Sequence, residues 1–231
     1  MLIKIVQGND KELEFSDVNV VIDVIRAFTF AHHAFIQGAK QILLVKTVEE
    51  AFELKKSNPS YLLAGEVKGR GIKGFDLDNS PSLISKYNLN GRSLVQKTTN
   101  GVNATLHALN TDIVFVTGYS NAKNTADYVK NLYCSINQDN SIHLVASHPS
   151  GDDDLACAEY IKGILEENII ESAKMVEKRI QASHVAEKFY DSERPEFKEE
   201  DIAICLKELE SDFVMIVNQT NRVPRIERVD I

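Results

Sequence analysis

The chain has 231 residues, 43% of them hydrophobic and 26% charged, with 11 glycines and 5 prolines. This is an ordinary globular composition, and it excludes a disordered chain, a collagen-like repeat and a disulfide-stapled miniprotein. With 26 Lys and Arg against 34 Asp and Glu, the formal charge is −8, so the surface as a whole repels phosphate backbones and nucleic acid is not an expected partner.

Strand-like and helix-like segments alternate along the chain, which predicts an α/β fold. VNVVID (18–23) is a β-branched run ending in a carboxylate, and RAFTFAHHAFIQ (26–37) follows as a helix closed by Gly38. QILLVK (41–46) is a second strand, and Thr47 with Glu50 makes a capping box that opens a helix through about residue 56. YLLAG (61–65) is a third strand. The Gly-rich stretch 67–81 after it has neither helix nor strand periodicity, and loops of this kind often carry function. SLVQK (93–97) and DIVFVT (112–117) read as strands flanking a short helix over 102–109. A helix over 121–135, the strand SIHLVAS (141–147) and a helix over 152–168 follow. The polar amphipathic stretch 171–190 reads as one long surface helix, 198–209 as a helix and DFVMIV (212–217) as a strand. No linker marks a boundary, so one α/β domain over 1–231 is expected, with room for two similar lobes at about 1–110 and 111–231.

Cys134, Cys157 and Cys205 are an odd number without CxxC spacing. That argues against a disulfide framework or a zinc site and for a reducing compartment. The apolar run at the start of MLIKIVQGNDKELEF is too short for a signal-peptide core. No stretch approaches the ~20 apolar residues of a spanning helix. A soluble, cytoplasmic protein with no membrane contact is expected.

Ligands of open α/β sheets bind outside the carboxyl ends of strands, so the polar loops at those ends should be neighbours. Asp23, at such an end, suits a hard cation and Arg26 an anion. On this segment alone, a helix-start Asp beside a surface Arg is the favoured reading. Glu66 also follows an apolar strand, and with Asp23 would suit Mg²⁺, which takes one or two carboxylates plus waters and substrate oxygens. Lys68, Arg70 and Lys73 supply cations there, or simply make a solvated basic loop. In GFDLDNSP (74–81), turn chemistry accounts for Asp76, Asp78 and Asn79 but not for the interleaved Phe75 and Leu77. Thr98, Thr99, Asn100 and Gly101 at a helix start suit phosphate or sulfonate, or only cap the helix. Asp152, Asp153 and Asp154 open a helix, where acidic residues are favoured, although three in a row would be relieved by a cation. His32 and His33 are adjacent on a helix and point apart, and Cys157 reads as core. Walker A, GxSxG, HExxH and GxGxxG patterns are absent from the sequence.

VVIDVIRAFTF, LLAGEVKGRGIKGFDLDNSP, KTTNGV and GDDDLACAEYI, in this order, closely resemble the 2-phosphosulfolactate phosphatase (ComB-like) family. That family carries a DVLRATTT-like segment, AGER, GFDLGNSP, TTTNGT and an acidic segment before an AG-rich helix. KEEDIAICLKELESDFVMIV resembles its closing helix and strand, so the likeness covers nearly the whole chain. The resemblance implies a three-layer α/β/α fold with a mixed sheet. It also implies a Mg²⁺-dependent phosphatase that converts 2-phospho-3-sulfolactate to 3-sulfolactate and phosphate, a step toward coenzyme M. Carried over by position, it makes Asp23, Glu66 and Asp76 the metal or acid/base carboxylates and Arg26 the anion clamp. Asn79, Thr98, Thr99, Asn100 and Gly101 become the anion cradle. Asp153 or Asp154 closes the site, with Asp154 as the acid for the leaving alkoxide.

Some positions depart from the family pattern: Phe28 and Phe30 replace two threonines, Val67 an arginine, Asp78 a glycine, and Lys97 and Val102 further threonines. Arg70 would then reach in for the missing arginine. The expected partner is a small anionic phosphoester, with a homodimer left open. The alternative is a divergent, non-catalytic member that binds a small anionic metabolite.

Overall fold

The computed structural model describes residues 2–134, 140–168 and 172–231. In chain order, the first part comprises β1 (Leu2–Gln7), β2 (Ser16–Ile22), α1 (Ala27–Ile36), β3 (Gln41–Leu44), α2 (Val48–Ser57), β4 (Leu62–Val67) and β5 (Arg70–Gly71). Then come α3 (Pro81–Ile84), β6 (Ser93–Lys97), α4 (Gly101–His107), β7 (Thr111–Thr117), α5 (Ala122–Val129) and β8 (Ser141–Ala146). The chain continues through α6 (Asp152–Leu165), α7 (Ala173–Ala182), α8 (His184–Glu187), α9 (Glu199–Cys205), β9 (Phe213–Asn218) and β10 (Arg225–Asp230).

All the strands join one ten-stranded sheet in the order β1-β8-β2-β7-β9-β10-β3-β6-β4-β5. The first four strands of that order are parallel neighbours, as are β3, β6 and β4. Between the blocks lie β9 and β10, paired antiparallel to each other and to the strands beside them, so the two parallel blocks run in opposite senses. Twist reconciles this with a shared site. At about 20–25° per strand pair, the five steps from β2 to β6 turn the strand direction through roughly 100° or more, and the carboxyl ends of the blocks converge. The order also interleaves the halves of the chain, because β2 lies between β7 and β8.

Helices cover both faces, which makes the three layers. Along β2 the side chains alternate as a strand requires. Val18, Val20 and Ile22 enter the core shared with Ala126, Ile161 and Ile180 of α5, α6 and α7, while Val21 enters the core built on α1 and α4. Thr47 and Glu50 form the expected capping box, and Gly38 closes α1 with φ of +89°.

Three expectations change. Residues 171–190 do not make one surface helix: within the described part, α7 and α8 are separated at Ser183, and Val176, Ile180, Val185, Ala186 and Phe189 are buried. The Ser183 hydroxyl donates to the buried Asp153 at 2.9 Å, an interaction that sits at the break. The helix expected over 121–135 is α5 followed by a π-turn at Lys130–Cys134, with residue 135 outside the described residues. Finally, β1 and β10 are strands not expected from the sequence, because charged residues interrupt their apolar positions. In RIERVD charges alternate with Ile226 and Val229, and only Ile226 is fully buried.

His32 on α1 is fully buried, with Nδ1 2.9 Å from the Ser120 hydroxyl and the ring against Phe213. Burial, with His33 adding, depresses its pKa from 6.5 to about 3. The unfolded chain therefore binds a proton there at a pH where the folded chain does not, and stability is lost as pH falls below 6.5 toward 3. The loss from this one group is about 2 kcal/mol at pH 5. In urea unfolding at pH 8 and pH 5, His32→Gln should lose less stability between the two values than the parent chain does. An equal loss would show that His32 does not titrate in this way.

Candidate functional site

Asp23 immediately follows β2 and is only 5% exposed. Its Oδ1 accepts the Ala27 N–H at 2.9 Å, the first residue of α1, and its Oδ2 accepts the Gly101 N–H at 2.8 Å, the first residue of α4. The approach is close enough that a Cβ at position 101 would stand 2.6 Å from Oδ2, so glycine is required there. Glu66, in β4 and 6% exposed, makes the matching contact from the other block. Its Oε1 accepts the Thr99 N–H at 2.5 Å, and its Oε2 accepts the Thr99 hydroxyl at 3.0 Å and the Gly69 N–H. Two carboxylates thus share the loop between β6 and α4.

These contacts revise the expected anion cradle. The N–H groups of Thr99 and Gly101 are turned onto Glu66 and Asp23, and the Val102 N–H is taken by the Thr98 hydroxyl at 3.0 Å. Thr98 is buried and caps α4. Asn100 lines the cleft, its Oδ1 accepting from Asn9 at 2.7 Å. Asn79 lines it too, with Oδ1 accepting from the Gln96 amide at 3.2 Å.

The remaining expected residues divide between those that meet the cleft and those that do not. Arg26 reaches it, but its guanidinium is already committed. It bonds Asp201 of α9 at 2.7 Å and the Gly69 carbonyl at 3.1 Å, and lies 5.0 Å over the Phe189 ring. Asp201 is fully buried and also accepts from Ser80 and from the Ser82 N–H. Asp76 is not brought to Asp23 and Glu66. It accepts the Leu63 N–H at 2.7 Å and pairs with Lys55 of α2 at 3.1 Å, and so serves the β4 edge. Arg70 points to solvent, 72% exposed beside Glu196. Asp154 lies behind the cleft wall. It accepts from the Val24 N–H at 2.7 Å and from the Ser147 hydroxyl and His148 N–H at 2.9 Å each, tying the β2 and β8 ends to α6.

The cleft itself holds about 370 Å³, with Asp23, Glu66, Asn79, Arg26, His148 and Lys188 among its lining. Hollows of about 460 and 540 Å³ open elsewhere, one beside α2 and Pro224 and one beside Phe213 and Arg228, and neither gathers these motifs. Sequence reasoning missed His148, Lys188 and Asp201. His148 stands just past a predicted strand, the signal that found Asp23, whereas Lys188 and Asp201 lay inside stretches read as surface or closing helices.

Buried acids crowd this region. Burial, then Asp153 and Glu66, raises the Asp23 pKa to about 7. Burial first, and then Asp153 and Asp23, pushes Asp154 well above the usual carboxylate range, and burial raises Asp153 as well. His148 is shifted down by burial, His184 and Lys188, which keeps its ring neutral near pH 7. Because its Nδ1 accepts the Ser150 N–H at 3.2 Å, the neutral ring carries its proton on Nε2.

The family model for 2-phosphosulpholactate phosphatase matches residues 3–220. The chain belongs to this family. It is 59% identical to a probable 2-phosphosulfolactate phosphatase of Bacillus subtilis over 232 residues, 100% of both chains. A protein of the same name from Caldicellulosiruptor saccharolyticus is 38% identical over 64% of this chain and 62% of its own. One from Deinococcus radiodurans is 45% identical over 42% of this chain and 40% of its own. None of the positions that depart from the family motifs lines the cleft in this chain. Phe28 and Phe30 are buried in the core around α1, the Asp78 carboxylate accepts the Ser80 N–H at 2.9 Å, and neither Val67 nor Lys97 lines the cleft.

Removing one partner of a buried ion pair leaves the other charge uncompensated, at a cost of about 3–5 kcal/mol. Arg26→Met should destabilise the fold by that amount in urea unfolding, and adding Asp201→Leu should restore much of it. A loss below about 1 kcal/mol, as for a surface pair, would contradict the buried assignment.

Proposed function

We propose that this protein is a Mg²⁺-dependent phosphatase that hydrolyses 2-phospho-3-sulfolactate to 3-sulfolactate and phosphate, with Asp23 and Glu66 as its central carboxylates. The observation that carries the reading is the meeting of Asp23 and Glu66 on one loop, at the floor of one cleft, in a chain of this family. The names of the full-length and partial relatives support the substrate. The cytoplasm and a role in coenzyme M formation fit the same reading. A chain with no helix long and apolar enough to cross a membrane, among the described residues, is compatible with that location.

The donor set suits a hard cation. Each carboxylate oxygen can accept more than one partner, so the bonds to backbone N–H groups leave lone pairs on Asp23 and Glu66. Among the described residues no group of three His, Cys, Asp or Glu forms a metal cage, and Mg²⁺ does not need one, since it keeps waters and takes substrate oxygens. Asp23 and Glu66 would hold it, without Asp76. Bound there, Mg²⁺ supplies positive charge to the phosphoryl oxygens and relieves the crowding of buried acids.

The chain's own groups do the rest. The N–H bonds from Ala27, Thr99 and Gly101 fix both carboxylates before substrate arrives, which is the preorganisation that electrostatic catalysis requires. Asn79 and Asn100 offer amide contacts, and neutral His148, which also lines the cleft, has an Nε2–H to donate. Asp154 acts from behind by holding the Val24 and His148 backbone, a positioning role in place of the expected acid.

Phosphate release should be measured with chelator-stripped protein, with and without Mg²⁺. Asp23→Asn and Glu66→Gln should lower turnover on the order of 10²–10³-fold, while Asp76→Asn should stay within roughly threefold of the parent. No release from any phosphoester on a panel, with ligand binding retained, would favour the non-catalytic alternative. Full activity in Asp23→Asn would overturn the assignment of the centre.

A further inference from the structure

The cleft has a half-buried cation that, among the described residues, makes no direct ion pair with a carboxylate. Lys188 follows α8, and its ammonium lies 5.6 Å from the centre of the Phe189 ring and 5.1 Å from that of Phe197. On the other side it rests against Gly69, where an added methyl would come within 3.2 Å of Nζ. Among the described residues no carboxylate pairs with it within 4.0 Å. Arg26 differs, because Asp201 balances its charge at 2.7 Å. Lys68 also lines the cleft but is exposed, so water screens it.

The charges in the cleft are therefore divided. Asp23 and Glu66 form an acidic floor that suits a phosphoryl group only together with a divalent cation. A second anionic group on the same substrate has no such partner on the floor and is repelled by it. Lys188 is the cation that remains for it. Its setting between two rings and a glycine backbone is poorly hydrated, so an ion pair there loses less to solvent than it would on the surface.

We propose that Lys188 is the specificity-determining residue of the cleft, pairing with the strongly acidic group that the substrate carries beside its phosphoester, the sulfonate of 2-phosphosulfolactate. The inference rests on the phosphatase reading above and adds to it the residue that tells the sulfonated ester from a plain one. Two further features agree with it. Burial first, and then Arg26, depress the Lys188 pKa, while Glu66, Asp153 and Asp23 pull it up from a distance. Gly69, with φ of +83°, lets the turn that follows Glu66 between β4 and β5 pass against the ammonium, so the end of β4 and the cation meet at the same turn.

The test compares two esters that share the phosphoester and the carboxylate and differ only in the sulfonate: 2-phosphosulfolactate and 2-phospholactate, which lacks it. Lys188→Met should raise KM for the sulfonated ester by about tenfold or more and leave kcat within roughly threefold. Both parameters for 2-phospholactate should stay within roughly threefold, and Lys188→Arg should keep part of the preference. Parallel losses on both esters would place Lys188 at the phosphoryl group, at the shared carboxylate or in the scaffold and overturn the proposal, as would no loss on either. Lys188→Gln serves as the second variant if the methionine chain does not fold by circular dichroism. If the parent hydrolyses neither ester, the phosphatase reading fails, and calorimetry with 3-sulfolactate and lactate decides the role of Lys188. The parent should bind 3-sulfolactate at least about tenfold more tightly than lactate, and Lys188→Met should lose that preference. Equal binding in the parent, or an unchanged preference in the variant, would overturn it.

Discussion

Asp23 accepts one backbone N–H from the start of α1 and another from the start of α4, and α4 follows a strand of the opposite parallel block. Hydrogen bonds to a charged acceptor contribute about 1.5–3 kcal/mol each, enough to hold the β2 end and the β6–α4 loop together against the tendency of oppositely directed blocks to present their ends apart. Glu66 repeats the device two residues earlier in the same loop. The cleft exists because these two carboxylates tie the loop from both sides. They sit at its floor because the same bonds aim them there.

This arrangement carries an electrostatic cost that the protein meets in parts. Asp153 is satisfied by Ser183 at the break between α7 and α8, Asp154 by backbone groups and Ser147, and Asp201 by Arg26 and Ser80. Each acid fastens a different element to the cleft wall, so α6, α8 and α9 are positioned by charge as much as by packing. Asp23 too has only neutral N–H donors, and burial with two neighbouring acids brings its pKa to about 7. A divalent cation on Asp23 and Glu66 would complete the set.

Much of this was legible in the sequence, and for a physical reason. A buried parallel strand is a continuous apolar run, so the residue that ends it is conspicuous, and Asp23, Glu66 and the 97–101 loop were all found that way. The strands β1 and β10 escaped notice because charged side chains interrupt their apolar positions. Asp76 was misplaced because its motif is contiguous with Asn79 in sequence, whereas the turn between them sends one side chain to Lys55 and the other to the cleft. The donors at 98–101 were recognised as donors. That they would be spent on the protein's own carboxylates depended on the convergence of two blocks, which no local pattern records. Lys188 and Asp201 were hidden for the same reason, since their importance comes from what they face across the fold.

The central claim is that Asp23 and Glu66 together form the cation-binding floor of the cleft. Calorimetric titration of Mg²⁺ into the chelator-stripped protein in the presence of inorganic phosphate tests it most directly. The account predicts one binding event in the parent, retained in Asp76→Asn and lost in both Asp23→Asn and Glu66→Gln. Binding that survives the loss of Asp23 and Glu66, or that disappears with Asp76, would contradict it.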